Sequence, residues 1–161
     1  MEYRQLGRAG VRVSAIGLGT NRFGTEKLPA EAVSKMLDAA LDLGINFIDT
    51  SDTYVRGQSE IVLGQALKGR WDRFVVGTKA VLPVGQGPND RGASRYHITQ
   101  ALEASLRRLQ HDHIDVYYMH RWDPTTPLDE TLRALDDLVR QGKILYVGAS
   151  EYTSWQLAQA N

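Results

Sequence analysis

The sequence predicts an α/β fold, a stretch of (β/α) barrel, on three observations. Strand-like and helix-like segments alternate after a short N-terminal hairpin. The strands are near-continuous apolar runs, as parallel strands buried on both faces tend to be. Four of them end on a polar, chemically capable residue: FID on Asp49, VVGT on Lys79, VYYM on His120 and YVGA on Ser150. Functional side chains at successive strand C-termini mark the active face of a barrel. About five βα units also suit an open doubly wound sheet. A site at a switch point there would draw on only two or three strands, so the polar strand ends favour the barrel.

The elements follow in order. In EYRQLGRAGVRVSAIGLGT, the stretch Gly7 to Gly10 supplies a hairpin turn and Val11, Val13 and Ala15 alternate. Ile16 to Gly19 reads as the first buried strand. Pro29 suits the first position of a helix. Val33, Met36, Leu37, Ala40 and Leu41 give that helix one apolar stripe, and Gly44 closes it. Ile45–Asp49 is the second strand, Ser59–Lys68 the second helix and Phe74–Thr78 the third strand. The Gly- and Pro-rich stretch from Leu82 to Gly92 is a loop, expected to be mobile, on the active side of the third strand. Ser94 caps a third helix whose stripe is Ile98, Ala101, Leu102, Ser105, Leu106 and Leu109. Ile114–Met119 is the fourth strand. Thr126-Pro127 with Asp129 and Glu130 starts a helix that turns Leu128, Leu132, Leu135, Leu138 and Val139 inward and stops at Gly142. Ile144–Ala149 is the fifth strand, and Thr153 or Ser154 opens a last helix. Residues 1–161 are read as a single, incomplete barrel domain.

Composition narrows the function. Lys plus Arg equals Asp plus Glu at 19 each, so no bulk basic field argues for nucleic acid. The absence of Cys rules out disulfide and thiol chemistry. No apolar run is long enough for a membrane span and the N-terminus has no signal-peptide core, so a cytoplasmic location without membrane contact is expected.

The strand ends form a chemical kit. A Lys at the end of a buried strand calls for a carboxylate, and Asp49 on the neighbouring strand is the obvious partner for Lys79. Tyr54 follows Asp49 by five residues. An ammonium beside a phenol favours the phenolate and makes the phenol a better proton donor. His120 can hydrogen-bond and orient a carbonyl. None of these groups can deliver a hydride, so a reduction needs a nicotinamide cofactor. GLGTNRFG lacks the spacing of a dinucleotide fingerprint. His111 and His113 bracket Asp112 at a helix-to-strand turn away from the active end, and no metal is expected. Arg107, Arg108, Arg140 and Lys143 read as solvated helix surface, and Trp122, just past His120, is placed to line a substrate pocket.

Together, GLGTNRFG (17–24), FIDTSDTY (47–54), GQSEIVLGQAL (57–67), TKA (78–80), ALEASLRRLQHDHIDVYYMHRWDP (101–124) and TPLDETLRALDDLVRQGKILYVGAS (126–150) resemble the aldo-keto reductase superfamily. The resemblance runs from the hairpin to the last residue. The wording HRWDP and TPLDETL is similar to bacterial reductases that are themselves like potassium-channel β subunits. The resemblance implies a (β/α)8 TIM barrel that reduces an aldehyde or ketone, a small-molecule carbonyl substrate, with NADPH. It implies Asp49, Tyr54, Lys79 and His120 as the catalytic tetrad, with Tyr54 the proton donor. Gly19, Thr20 and Asp49 match positions near the cofactor, Asn21 the substrate pocket, and Ser150 the Ser that binds the nicotinamide carboxamide. Glu151 stands where the family usually has Asn, beside the same group.

A full barrel takes about 250 residues, so strands six to eight are expected to lie outside these 161 residues, with much of the grip on the cofactor phosphates. A five-strand sheet leaves two edges unpaired. It is expected to form a homo-oligomer or to be completed by a C-terminal half-barrel. Rival readings are a regulatory subunit of the same fold with little turnover, and an inert fragment that needs its complement.

Overall fold

A computed structural model describes residues 1–161. Five strands form one sheet: β3 (Leu18–Gly19), β4 (Phe47–Asp49), β5 (Val75–Ala80), β6 (Ile114–Met119) and β7 (Ile144–Ala149), all parallel. Their order across the sheet is their order in the chain. A doubly wound sheet reverses order at its switch point. This sheet does not, which is the winding of a barrel, and it is not closed: β3 and β7 are free edges. Helices α1 (Ala30–Asp42), α2 (Gln58–Leu67), α3 (Arg95–Leu109) and α4 (Leu128–Arg140) are the crossovers, and α5 (Ser154–Ala160) follows β7. An antiparallel ribbon of β1 (Tyr3–Gln5) and β2 (Arg12–Ser14) precedes the sheet. It is tied to the start of β4, where the Ser14 N–H donates to Asn46 Oδ1 at 2.7 Å. No helix is long and apolar enough to cross a membrane.

Register sorts the side chains onto two faces. Paired residues of parallel strands point the same way, and the period along each strand is two. Ile48, Val76, Tyr117 and Met119 share the face that packs on the helices, against Val33, Leu37, Leu63, Ile98, Leu102 and Leu138. The Tyr117 hydroxyl donates to the Ile98 carbonyl of α3 at 3.0 Å, which fixes that face as the outer one. The inner face carries Gly19, Asp49, Gly77, Lys79, Tyr118, His120, Gly148 and Ser150, because Gly19 pairs Asp49, Asp49 pairs Gly77, Lys79 pairs Tyr118 and Tyr118 pairs Gly148. The Tyr118 ring lies across this face between two glycines. A Cβ on Gly77 would sit 2.8 Å from its Cε2, and one on Gly148 would overlap its Cδ1.

Most elements fall where the sequence puts them, and the departures have physical causes. The first strand is only Leu18–Gly19, and Ile16 is exposed, because this edge pairs β4 alone. Pro29 is the N-cap of α1, in extended geometry, with Ala30 the first helical residue. Lys79 lies inside β5 and not beyond it, since the β5–β6 ladder runs on to Ala80–Met119. On α4 the inward stripe is Thr131, Ala134, Leu135 and Leu138, while Val139 is exposed. Thr131 takes an inward position because its hydroxyl donates to the Ala93 carbonyl at 2.8 Å. β7 is not buried on both faces: Leu145 and Val147 are 45% and 46% exposed along the free edge. The loop after β5 is held by Asp90, whose carboxylate accepts from the Gly87 N–H at 2.7 Å.

Candidate active site

Every strand-borne residue of the predicted site lies on the inner face at the C-terminal end of the sheet. The segment after β4 stays in the ladder, with the Thr50 N–H on Gly77 O at 2.8 Å and the Asp52 N–H on Lys79 O at 3.1 Å. The chain then turns through a short 3₁₀ segment, Tyr54–Gly57, in which Val55, Arg56 and Gly57 all have left-handed φ of 47°, 55° and 85°. Two of the three are not glycine, a costly backbone that surrounding contacts must enforce. It directs the Tyr54 ring back over the strand ends.

Lys79 is the hub. Only 6% exposed, it donates from Nζ to Asp49 Oδ2 at 2.6 Å, to the Thr50 carbonyl at 2.8 Å and to Tyr54 Oη at 3.2 Å. A buried ammonium needs that full set of acceptors. Its three N–H bonds are thereby spent, and its position relative to the phenol is fixed. His120 stands edge-on to Tyr54, with ring centroids 6.0 Å apart and planes at 81°. Burial, and then the Lys79 charge, push the His120 ring below its ordinary titration range, so it is a neutral imidazole near pH 7. Asp49, Tyr54, Lys79 and His120 therefore meet at one spot.

The other predicted residues surround that spot unevenly. Gly19 pairs Asp49 and faces open space, since a side chain there would meet nothing within 4 Å. Thr20 is buried, and its hydroxyl lacks a hydrogen-bond partner. Asn21 is exposed in the turn that follows. Ser150, at the end of β7, is anchored by its N–H to the Met119 carbonyl at 2.9 Å. Glu151 has a left-handed φ of 52°, and its carboxylate accepts from Arg121 Nε at 2.7 Å. Trp122 packs edge-on against Tyr152 and Trp155, at 5.2 and 5.8 Å, and lines a groove with Val81 and Asp123.

Behind the tetrad lies a polar layer that hydrophobic periodicity did not reveal. Ser51 Oγ is 3.2 Å from His120 Nδ1 and donates to Asp52 Oδ1 at 3.2 Å. Asp52 is buried, its Oδ2 has no partner, and burial together with the Glu60 charge pushes its carboxyl up to about 7. Glu60 is 0% exposed on α2, accepting from Thr78 Oγ1 at 2.5 Å and from Arg108 Nε at 2.6 Å. Arg108 is thus not solvated helix surface: it reaches in from α3 to meet the one fully buried carboxylate. The signals available in the sequence were a Glu inside the apolar run SEIVLG and the second acid of FIDTSDTY.

A nicotinamide carboxamide both donates and accepts hydrogen bonds. The Ser150 hydroxyl can both donate and accept, as a carboxamide requires, and Gly19 leaves open space on the tetrad's own face. These residues fit the nicotinamide end of such a cofactor.

The chain is 41% identical over 163 residues to a probable voltage-gated potassium channel subunit beta of Oryza sativa subsp. japonica, covering 99% of this chain and 49% of that protein. It is 41% identical over 172 residues to the uncharacterized oxidoreductase YrpG of Bacillus subtilis, covering 99% and 52%. A putative voltage-gated potassium channel subunit beta of Schizosaccharomyces pombe is 42% identical over 164 residues, covering 99% and 48%. The chain spans about half the length of these curated relatives. The aldo/keto reductase family profile matches residues 15–161, a span that takes in the whole parallel sheet, and the chain belongs to that family.

Proposed function

We propose that this chain carries the catalytic strand ends of an NADPH-dependent carbonyl reductase, with Tyr54 as the proton donor. The observation that carries the reading is the Lys79 ammonium bonded at once to Asp49 and to Tyr54 Oη, at 2.6 and 3.2 Å. When bound, NADPH supplies the hydride; every other part of the chemistry belongs to the side chains. Neutral His120 donates a hydrogen bond to the substrate oxygen and sets its direction. Tyr54 gives its phenolic proton to that oxygen as negative charge grows there. Lys79 stabilises the charge left on the tyrosine oxygen, and Asp49 holds Lys79 in place. Ser150, Gly19, Thr20, Asp49 and Glu151 would border the nicotinamide, and Asn21 and Trp122 the carbonyl substrate.

Phosphate contacts and closure of the sheet are assigned to a C-terminal half-barrel, on the same or another chain, or to a second copy. The free edges β3 and β7 and the exposed Leu145 and Val147 support this. Two relatives named as potassium-channel β subunits support a second reading, a binding subunit with little turnover. The test is reduction of 4-nitrobenzaldehyde by NADPH, using the chain fused to the C-terminal half of the Bacillus subtilis relative. Turnover that depends on Tyr54 supports the reductase. NADPH binding without turnover supports the binding subunit. The unfused chain should bind NADPH more weakly than about 10 μM in a fluorescence titration; tight binding by a monomer would place the phosphate site within these residues.

A further inference from the structure

At the opposite end of the sheet, where α3 hands over to β6, three side chains converge. Gln110 ends α3 in a left-handed conformation, and the chain turns through His111, Asp112 and His113 into β6. One ligand atom from each of the three lies within 4.8 Å of the others. Asp112 Oδ1 is the shared centre, 2.8 Å from His113 Nδ1 and 3.6 Å from His111 Nε2. A tetrahedral ion with ligand bonds of about 2.1 Å sets its ligand atoms roughly 3.4 Å apart. The two distances observed straddle that value.

The surroundings pre-organise the set. The His111 ring is stacked on Trp71, with centroids 4.0 Å apart and planes at 18°, so its orientation is fixed. Its Nε2 is buried and has no hydrogen-bond partner, a lone pair or N–H left unused at a cost. His113 turns its other nitrogen, Nε2, to Asp115 Oδ1 at 3.7 Å. Asp115 is itself held, because its Oδ2 accepts from the Val76 N–H at 2.8 Å. The His113–Asp115 contact is longer than a hydrogen bond, but the carboxylate charge on that side of the ring favours the proton on Nε2 and leaves Nδ1 free to ligate. The two imidazoles are only 4.6 Å apart, with their planes at 57°. A groove of about 640 Å³, bordered by Trp71, His111, His113 and Asp115, gives access from solvent.

We propose that His111, Asp112 and His113 bind a divalent transition cation of the Zn²⁺ class through two nitrogens and one oxygen, with a water completing the set. Nitrogen and carboxylate donors of this kind favour Zn²⁺, Ni²⁺ or Cu²⁺ over Mg²⁺ or Ca²⁺. The site is independent of the proposed reductase chemistry, lying at the other end of β6 from His120.

The test uses the 161-residue chain free of any histidine tag. Titration with zinc chloride by calorimetry should give one site with a Kd below about 10 μM. His111→Ala and His113→Ala should each weaken it by at least about 10-fold. Asp112→Asn should weaken it too, and this side chain is 89% exposed, so the change leaves the fold intact. His120→Gln should leave zinc affinity unchanged. Cu²⁺ should quench the tryptophan emission through Trp71, and Trp71→Phe should abolish most of that quenching while circular dichroism reports the same fold. Absence of saturable zinc binding, or binding that survives loss of both His111 and His113, would overturn the proposal.

Discussion

Replacing Asp52 by Asn removes a charge that the fold has trouble accommodating. The carboxyl is buried, one oxygen has no partner, and the Glu60 carboxylate lies nearby. Its ionisation accordingly sits at about 7 in the folded chain against an ordinary 3.8. Between those values the folded state holds a proton that the unfolded state has released. The Asp52 contribution to stability is therefore highest at acid pH, falls as pH rises through that window, and levels off above about 7. Each pH unit of the interval is worth about 1.4 kcal/mol, so the full loss amounts to about 4 kcal/mol, a large share of a small domain's stability. Asn keeps the shape and the acceptor for Ser51 but cannot ionise. Urea unfolding of both proteins should show the variant gaining about 4 kcal/mol over wild type between about pH 4 and about pH 8. Groups common to both proteins cancel in that difference. A gap that stays constant within about 1 kcal/mol across the range would refute the placement of Asp52 as a buried, poorly solvated acid.

Arg108→Met strips the fully buried Glu60 of its cation and should destabilise the chain by about 3 kcal/mol in urea unfolding. Combining it with Glu60→Gln should recover most of that loss. In the fused, completed barrel, Tyr54→Phe should lower kcat by about 100-fold with unchanged circular dichroism, because it removes the proton and keeps the ring. An unchanged kcat would mean that another group or water protonates the substrate. Glu151→Asn should raise the melting temperature, since Asn tolerates the left-handed φ of 52° better than Glu and the exposed Arg121 pair contributes little. A lower melting temperature would show that the ion pair outweighs the backbone.

The strand frame was legible in the sequence. Ile114–Met119 and Ile144–Ala149 have the predicted bounds, because apolar runs between a capped helix and a polar strand end leave little choice. The tetrad was legible for the same reason: its strand-borne members are polar residues at the end of apolar strands. The layer behind it was not. Glu60, Thr78 and Arg108 come from α2, β5 and α3, and only tertiary packing brings them together. Arg108 in the last turn of a helix looks solvated until the partner across the helix interface is known. Thr131 was missed on α4 because its burial rests on a hydrogen bond to a loop carbonyl, which hydrophobic patterning does not register. The exposure of Leu145 and Val147 depends on β7 having one neighbour, a property of the sheet and not of the strand.

Tyr118, wedged between Gly77 and Gly148, ties three strands into one unit of heredity. Neither glycine can acquire a side chain while the ring keeps its place, and a smaller residue at 118 would leave the two glycines facing an uncovered stretch of sheet. A first substitution at any of the three is therefore penalised whatever comes second, and the tolerated routes are those in which ring and glycine change together. Libraries that vary these positions one at a time should find them fixed, whereas libraries that vary Tyr118 and Gly148 jointly should recover folded chains with the bulk moved from β6 to β7. Because the ring lies directly under the strand ends, such exchanges offer a way to reshape the floor of the site while Asp49, Tyr54, Lys79 and His120 stay in sequence.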